Sequence, residues 1–201
     1  MVSSQVIADA NRPAGSLEPL PTPQSRPAIV VVSGLPGTGK SYFCRRLAER
    51  LPLVILESDA LRKQLYPRPD YSAEESARVF RTIFRRMAEL VKKGRPVILD
   101  ATNLTEKHRQ PIYRIAEREN ARLVLVRVTA PPELVRQRLR RRAGDANNNS
   151  DADWAVYREM KPTEEKIQRR HFTVDTARDI TPALDRVVKE ISRLKETQHG
   201  D

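Results

Sequence analysis

The stretch Gly34-Leu35-Pro36-Gly37-Thr38-Gly39-Lys40-Ser41 decides how this chain folds. It follows an apolar, β-branched run, Ala28-Ile29-Val30-Val31-Val32-Ser33, and precedes Tyr42 to Leu51, where Phe43, Leu47 and Leu51 recur every four residues. That order reads as a strand, a glycine-rich turn and a helix with one buried face. The glycines let the loop bend back with its N–H groups pointing inward. A polyphosphate would then be held by main-chain donors and by the positive end of the helix. Nucleotide contacts are expected from Gly34, Pro36, Gly37, Thr38, Gly39, Lys40, Ser41 and Tyr42. Lys40 would reach the β- and γ-phosphates, and the Ser41 hydroxyl would ligate Mg²⁺.

Outward from the loop, short β-rich runs alternate with amphipathic stretches, the signature of a parallel sheet with helices on its faces. The strand candidates are 29–33, 53–57, 96–100, 122–128 and 171–175. Between Ala73 and Lys93, the residues Phe80, Ile83, Phe84, Met87, Leu90 and Val91 share one helical face, and Gly94 ends it. Near the end of the chain Thr181 is expected to cap a closing helix and Pro182 to start it. Pro111, inside the 105–119 segment, suggests a kink or a short turn before the helix proper.

A length of 201 residues fits one well-buried domain. We expect a Pro-rich disordered tail over 1–26, a single domain over 27–195 with a lid at about 131–153, and a short C-terminal tail over 196–201. The single cysteine, Cys44, cannot form an internal disulfide and falls in the helix after the loop. No early apolar run suits a signal peptide and none approaches a membrane span, so a cytoplasmic location is expected. Lys plus Arg number 37 against 26 Asp plus Glu, a net charge of +11. The excess favours polyanionic partners, though nucleotide phosphates alone would account for part of it. With 5% aromatic residues, a base-stacking platform for single strands is not indicated.

The residues with chemistry to offer cluster at strand ends. Ligands of open α/β sheets sit beyond the carboxyl ends of the strands, which puts Asp59, after the second strand, beside the glycine loop. If the residues that follow are helical, Asp59 and Arg62 face the same way. The carboxylate would orient and deprotonate an acceptor hydroxyl while the guanidinium holds an anionic group. The plainer alternative is a helix cap followed by a solvated arginine. The third strand ends in Asp100, the expected second support for Mg²⁺. It is followed by Ala101 and not by the water-activating glutamate common in ATPases that do mechanical work, which argues against water as acceptor. Thr102, Asn103 and Arg109 come next, either to hold an acceptor or as turn-forming and surface residues. After the fourth strand, a helix carries Arg136, Arg138, Arg140, Arg141 and Arg142, with Val135, Leu139 and Ala143 as its packed side. An Asn- and Asp-rich segment, 144–153, follows it. This reads either as a basic surface helix or as a mobile lid whose arginines neutralise transition-state charge.

Together these residues resemble the small P-loop kinases related to the kinase domain of phage polynucleotide kinase, a group that includes gluconate-type, antibiotic-modifying and zeta-toxin-like kinases. The motifs are the glycine loop, Asp59-x-x-Arg62, Asp100-Ala-Thr-Asn-Leu with Arg109 beyond it, the arginine-rich helix, and Asp151-Ala152-Asp153 leading into Trp154 to Met160. The resemblance implies a three-layer α/β/α P-loop NTPase fold like that of nucleoside monophosphate kinases, with ATP and Mg²⁺ as cofactors. It implies Asp59 as general base, Arg62 on an acceptor phosphate, and a lid arginine on the transferring group. Ungapped alignment points to Arg141 for that last role, and the Arg138-Leu-x-x-Arg142 pattern of small-molecule kinases points to that pair. The polynucleotide kinase has Ser-Asp-Thr-Asn-Leu where this chain has Asp100-Ala-Thr-Asn-Leu, so the acid has moved one place, which weakens transfer of the polynucleotide substrate.

The expected function is therefore an ATP-dependent kinase acting on a hydroxyl acceptor, either a small molecule or a polynucleotide 5′-hydroxyl, with a monomer favoured and no membrane partner. The competing readings are an ATP-binding switch or RNA-associated module without kinase activity, and a simple ATPase.

Overall fold

The computed structural model describes residues 21–142 and 150–192. Five strands form one parallel sheet: β1 (Ala28–Ser33), β2 (Val54–Glu57), β3 (Val97–Asp100), β4 (Arg122–Thr129) and β5 (Phe172–Asp175). Their order across the sheet is β2-β3-β1-β4-β5. All four pairings are parallel, so the carboxyl ends line one edge. The helices of the described residues are α1 (Lys40–Ala48), α2 (Ser58–Leu65), α3 (Ala73–Lys92), α4 (Glu106–Arg118), α5 (Pro132–Arg142), α6 (Trp154–Met160) and α7 (Thr181–Ser192). This is an α/β P-loop NTPase fold.

The inner strands β1 and β3 are buried along their whole length, which is why they read as nearly continuous apolar runs, while the edge strand β5 exposes Thr173. Alternate β1 residues divide the core. Ile29 and Val31 join Leu56, Val79, Ile83, Met87 and Ile112 on one side of the sheet. Val30 and Val32 join Phe43, Leu47, Val126, Leu184 and Val187 on the other. A third cluster of Leu35, Leu104, Val135, Leu139 and Tyr157 seats α5 and α6 against the glycine loop. The base of the arginine helix is thus packed, while Arg136, Arg140 and Arg141 are exposed.

Two helix starts differ from expectation. The helix around Pro111 is continuous and begins ahead of the proline, at Glu106, with the Thr105 side chain accepting from the His108 N–H. Pro111 deprives only the Lys107 carbonyl of its partner, and Lys107 lies on the exposed side of the first turns, where water can bond it. At the last helix it is Asp179, not Thr181, that caps: its carboxylate accepts from the Thr181 N–H at 2.9 Å, which holds its pKa below the ordinary range. Residues 1–20, 143–149 and 193–201 lie outside the described residues, so most of the expected tails and part of the expected lid are not placed. The end of the first tail is tied down, since the Gln24 N–H donates to the Gly94 carbonyl at 2.8 Å. Among the described residues no helix is long and apolar enough to cross a membrane.

Candidate active site

The register of β1 against β3 sets Val32 opposite Asp100, so the loop that leaves β1 emerges beside that carboxylate. The turn closes on one acceptor. The Leu35 carbonyl receives the Thr38 hydroxyl at 2.8 Å, the Thr38 N–H at 3.3 Å and the Lys40 ammonium at 3.0 Å. Gly37 has φ 76°, and a Cβ there would come within 2.8 Å of Val135, so the turn needs glycine for its backbone and for its contact with α5. Gly34 is tighter still, because a Cβ there would meet the Val128 carbonyl at 2.3 Å. Gly39, with φ 94°, precedes α1 and leads directly to Lys40 and Ser41. Pro36 is buried beneath the turn, and the Tyr42 ring is exposed on α1.

Lys40, Asp100 and Asp59 converge. Burial lowers the pKa of Lys40, and the carboxylates of Asp100 and Asp59 oppose that shift. Burial raises the pKa of Asp100, offset in part by Lys40 and by hydrogen bonding from Ser41. Asp59 makes no hydrogen bond or ion pair among the described residues, and it lies on the first turn of α2, facing Lys40 and Tyr71. Cys44, one turn along α1, is buried, and burial pushes its thiol well above the usual range, so it is inert.

Three arginines of α5 occupy different settings. Arg138 is spent on the fold: it donates to the Thr176 hydroxyl at 2.7 Å and carbonyl at 2.9 Å and approaches the Thr38 carbonyl. Thr176 in turn donates to the Thr38 carbonyl at 2.6 Å, which ties the segment after β5 to the glycine loop. Arg141 is exposed. Arg142 comes near enough to Lys40 to depress its pKa, and its Nε and Nη2 are buried without partners among the described residues.

Arg62 does not project into the cleft as a free cation. It is 6% exposed, forms an ion pair with Glu75, donates to the Ser76 hydroxyl at 3.1 Å and lies 4.8 Å from the centre of the Tyr71 ring. Asn103 and Arg109 are also interior. The Asn103 side chain donates to the Val32 carbonyl at 2.8 Å. Arg109 is fully buried and donates to the carbonyls of Asn103 and Leu104, each at 2.9 Å, while pairing with Glu106. Ser33 and Gly34 complete the tie, donating to the Asn103 and Thr102 carbonyls at 3.0 Å each. These residues lock the loop after β3 to the glycine loop. The sequence reading missed Tyr71, Glu75 and Thr176; only the left-handed backbone of Tyr71, φ 58°, marks any of them locally, and that is not a sequence signal.

The residues fit a nucleotide with Mg²⁺. Mg²⁺ takes few protein ligands and completes its shell with phosphates and water. Ser41 and Asp100 form such a sparse set, and no cluster of three or more metal-binding side chains occurs among the described residues.

Fold and loop together define a P-loop protein with the architecture of small kinases. A family model described as an AAA domain matches residues 29–167, and the chain belongs to that family. It is 31% identical over 131 residues to a UPF0200 protein of Aeropyrum pernix, covering 58% of this chain and 67% of that one. An uncharacterized protein of Mycobacterium tuberculosis is 29% identical over 136 residues, or 62% of this chain, which spans only 27% of that longer protein. Among solved structures, the chain resembles a gluconokinase from Sinorhizobium meliloti with TM-score 0.60 and 20% identity, over 88% of this chain and 100% of that one. It also resembles the Mycobacterium tuberculosis APS kinase in complex with AMPPNP and APS, with TM-score 0.62 and 20% identity, over 84% and 98% of the two chains. At these identities the likeness is one of fold.

Proposed function

We propose that this protein is an ATP- and Mg²⁺-dependent kinase that transfers the γ-phosphoryl group to a hydroxyl acceptor. The observation that carries this reading is that Asp59, Asp100 and Arg142, from three separate elements, all act electrostatically on Lys40, with two buried N–H groups of Arg142 unpartnered among the described residues. Buried donors without acceptors cost free energy, and a phosphoryl group supplies the missing oxygens. The roles follow from placement. Backbone N–H groups from Gly37 to Ser41 cradle the phosphates and Lys40 neutralises them. Ser41 and Asp100 would hold Mg²⁺, which would supply charge neutralisation to the phosphates when bound. Asp59 orients the acceptor hydroxyl and takes its proton. The acceptor oxygen then bonds to the γ-phosphorus while the bond to the bridging oxygen breaks, and ADP leaves with that electron pair. Arg142 stabilises the transferring group. Arg138 holds the lid helix to the glycine loop, Arg62 forms part of the acceptor wall, and Thr102, Asn103 and Arg109 keep the loop after β3 in place.

The test is γ-labelled ATP with a panel of acceptors: sugars, sugar acids, nucleosides, amine-bearing polyols and 5′-hydroxyl oligonucleotides. Label should move to one class and be lost in Asp59→Asn. If no acceptor is labelled and phosphate release is the same in Asp59→Asn, the kinase reading fails.

A further inference from the structure

In the kinase reading, the acceptor side of the cleft carries the carboxylates of Asp59, Asp70, Glu75 and Asp151 against three cations, Arg62 and Lys63 on α2 and the exposed Arg68 in the turn that follows. The wall is built from α2, the turn into α3, and residue 151. Both α2 cations named there are already engaged: Arg62 with Glu75, each almost fully buried, and Lys63 with Asp151 at 3.2 Å. Glu75 is itself held in place by the Asp70 N–H at 2.9 Å and by its own N–H on the Ser72 hydroxyl, so it cannot swing away to release the arginine. Asp59 remains without a counter-ion in hydrogen-bonding contact. Tyr71 stands between these groups, 45% exposed, its hydroxyl donating to Asp151 and one side of its ring covered by the Arg62 guanidinium.

We infer that the acceptor is a hydroxyl compound with no anionic group, either neutral or amine-bearing, selected by the pairing of Arg62 with Glu75 and by the exposed ring of Tyr71. This rests on the kinase reading above. An anionic acceptor needs an available guanidinium or ammonium to offset its desolvation, and at Arg62, the buried cation of this wall, a buried carboxylate has taken that place. A neutral polyol or an ammonium meets carboxylates and an aromatic ring, which suit both hydroxyl donors and cations. Specificity against anions then comes from the repulsive element, Asp59 and Asp151 flanking the entry, as much as from attraction.

The experiment uses matched pairs with the full chain and γ-labelled ATP: glucose and gluconate, ribose and ribose 5-phosphate, with glucosamine as the amine-bearing member. The neutral or amine-bearing member of a pair should be favoured at least tenfold in kcat/KM. In parallel, ribose 5-phosphate is titrated calorimetrically into protein already saturated with Mg²⁺ and AMPPNP; the wild type should show no binding at millimolar concentration. Glu75→Gln, which releases Arg62, should gain binding. Asp151→Asn, an exposed change that removes the carboxylate charge beside Lys63 and Tyr71, should narrow the preference about threefold and serves if Glu75→Gln does not fold. Preference for the anionic members, or binding of ribose 5-phosphate by the wild type as tight as by the variants, overturns the inference and leaves the kinase reading intact. If AMPPNP does not bind, or no acceptor is labelled, the kinase reading falls and takes the inference with it.

Discussion

The two halves of the cleft are built differently. The proposed donor half, Gly34 to Ser41, is one contiguous run that offers its own backbone N–H groups, and three of its donor groups meet at the Leu35 carbonyl. The proposed acceptor half is assembled from side chains of α2, the 66–72 turn, α3 and residue 151, and several of those side chains are paired with one another. A main-chain cradle tolerates changes of side chain around it and binds one kind of ligand. A wall of paired side chains is easily retuned, because exchanging one partner changes the charge that the ligand meets. The difference explains how one fold serves many acceptors with a nearly constant donor site.

That contrast can be broken in graded steps. The largest expected effect is at the lid. Arg142→Ala should lower kcat by about 10³-fold or more, the scale of an arginine that stabilises transferring phosphoryl charge. Arg141→Ala should stay within threefold, because that side chain is exposed. Steady-state kinetics of the two variants decides between them, and equal losses would show that the lid acts through its general charge. Next is the boundary between the halves. Asp59→Asn should cost about 10²- to 10⁴-fold in kcat, as loss of a general base does, with ATP affinity changed less than twofold. A large loss of ATP affinity would move Asp59 to the donor side.

Stability probes the acceptor wall alone. Glu75→Ala leaves Arg62 buried and uncompensated, at a cost of about 3–5 kcal/mol. The double change Arg62→Met with Glu75→Leu should be close to neutral, since it removes both charges and keeps the volume. Urea unfolding of both variants measures this, and a neutral Glu75→Ala would mean that the pair is solvated.

The smallest effect is the pH response of the donor half. Burial raises the pKa of Asp100, so its proton competes with Mg²⁺ at pH values above the ordinary carboxylate range. Mg²⁺-dependent nucleotide affinity should therefore fall on acidification, by at most about tenfold per pH unit for one proton. Burial lowers the pKa of Lys40, so affinity should fall again at alkaline pH, below the usual lysine range. Titrating a fluorescent ATP analogue from acid to alkaline pH tests both limbs, and Asp100→Asn should remove the acid limb only.

All five strand candidates lie within one residue of the observed strands at each end; for the inner strands the reason is that a strand buried on both faces must be a run of apolar, mostly β-branched residues, whereas the edge strand β5 alternates apolar and polar residues. Lys40, Ser41, Asp59 and Asp100 could be nominated from the sequence for a related reason: the first three come a short way after such a run and Asp100 ends one. Arg62 and Arg109 were visible as residues and not as environments. The first is paired by Glu75, 13 positions away, and the second by carbonyls of its own loop, contacts that no spacing announces. Thr176, which joins β5 to the glycine loop across 138 positions, carries no local signal at all.

By itself the sequence determined the alternation of strands and helices, the phosphate-binding turn and the acids that follow the strands, because these depend on local periodicity and on the chemistry of neighbouring residues. The tertiary structure alone decided which cations remain available. Arg62, Arg109, Arg138 and Arg142 are the same residue type, and only the fold decides that the first three are held by Glu75, by the carbonyls of Asn103 and Leu104, and by Thr176, while Arg142 lies near enough to Lys40 to act on its pKa, with its Nε and Nη2 unpartnered among the described residues. A guanidinium's charge is a property of its sequence position, but its availability depends on which acceptors the folded chain has already brought to it.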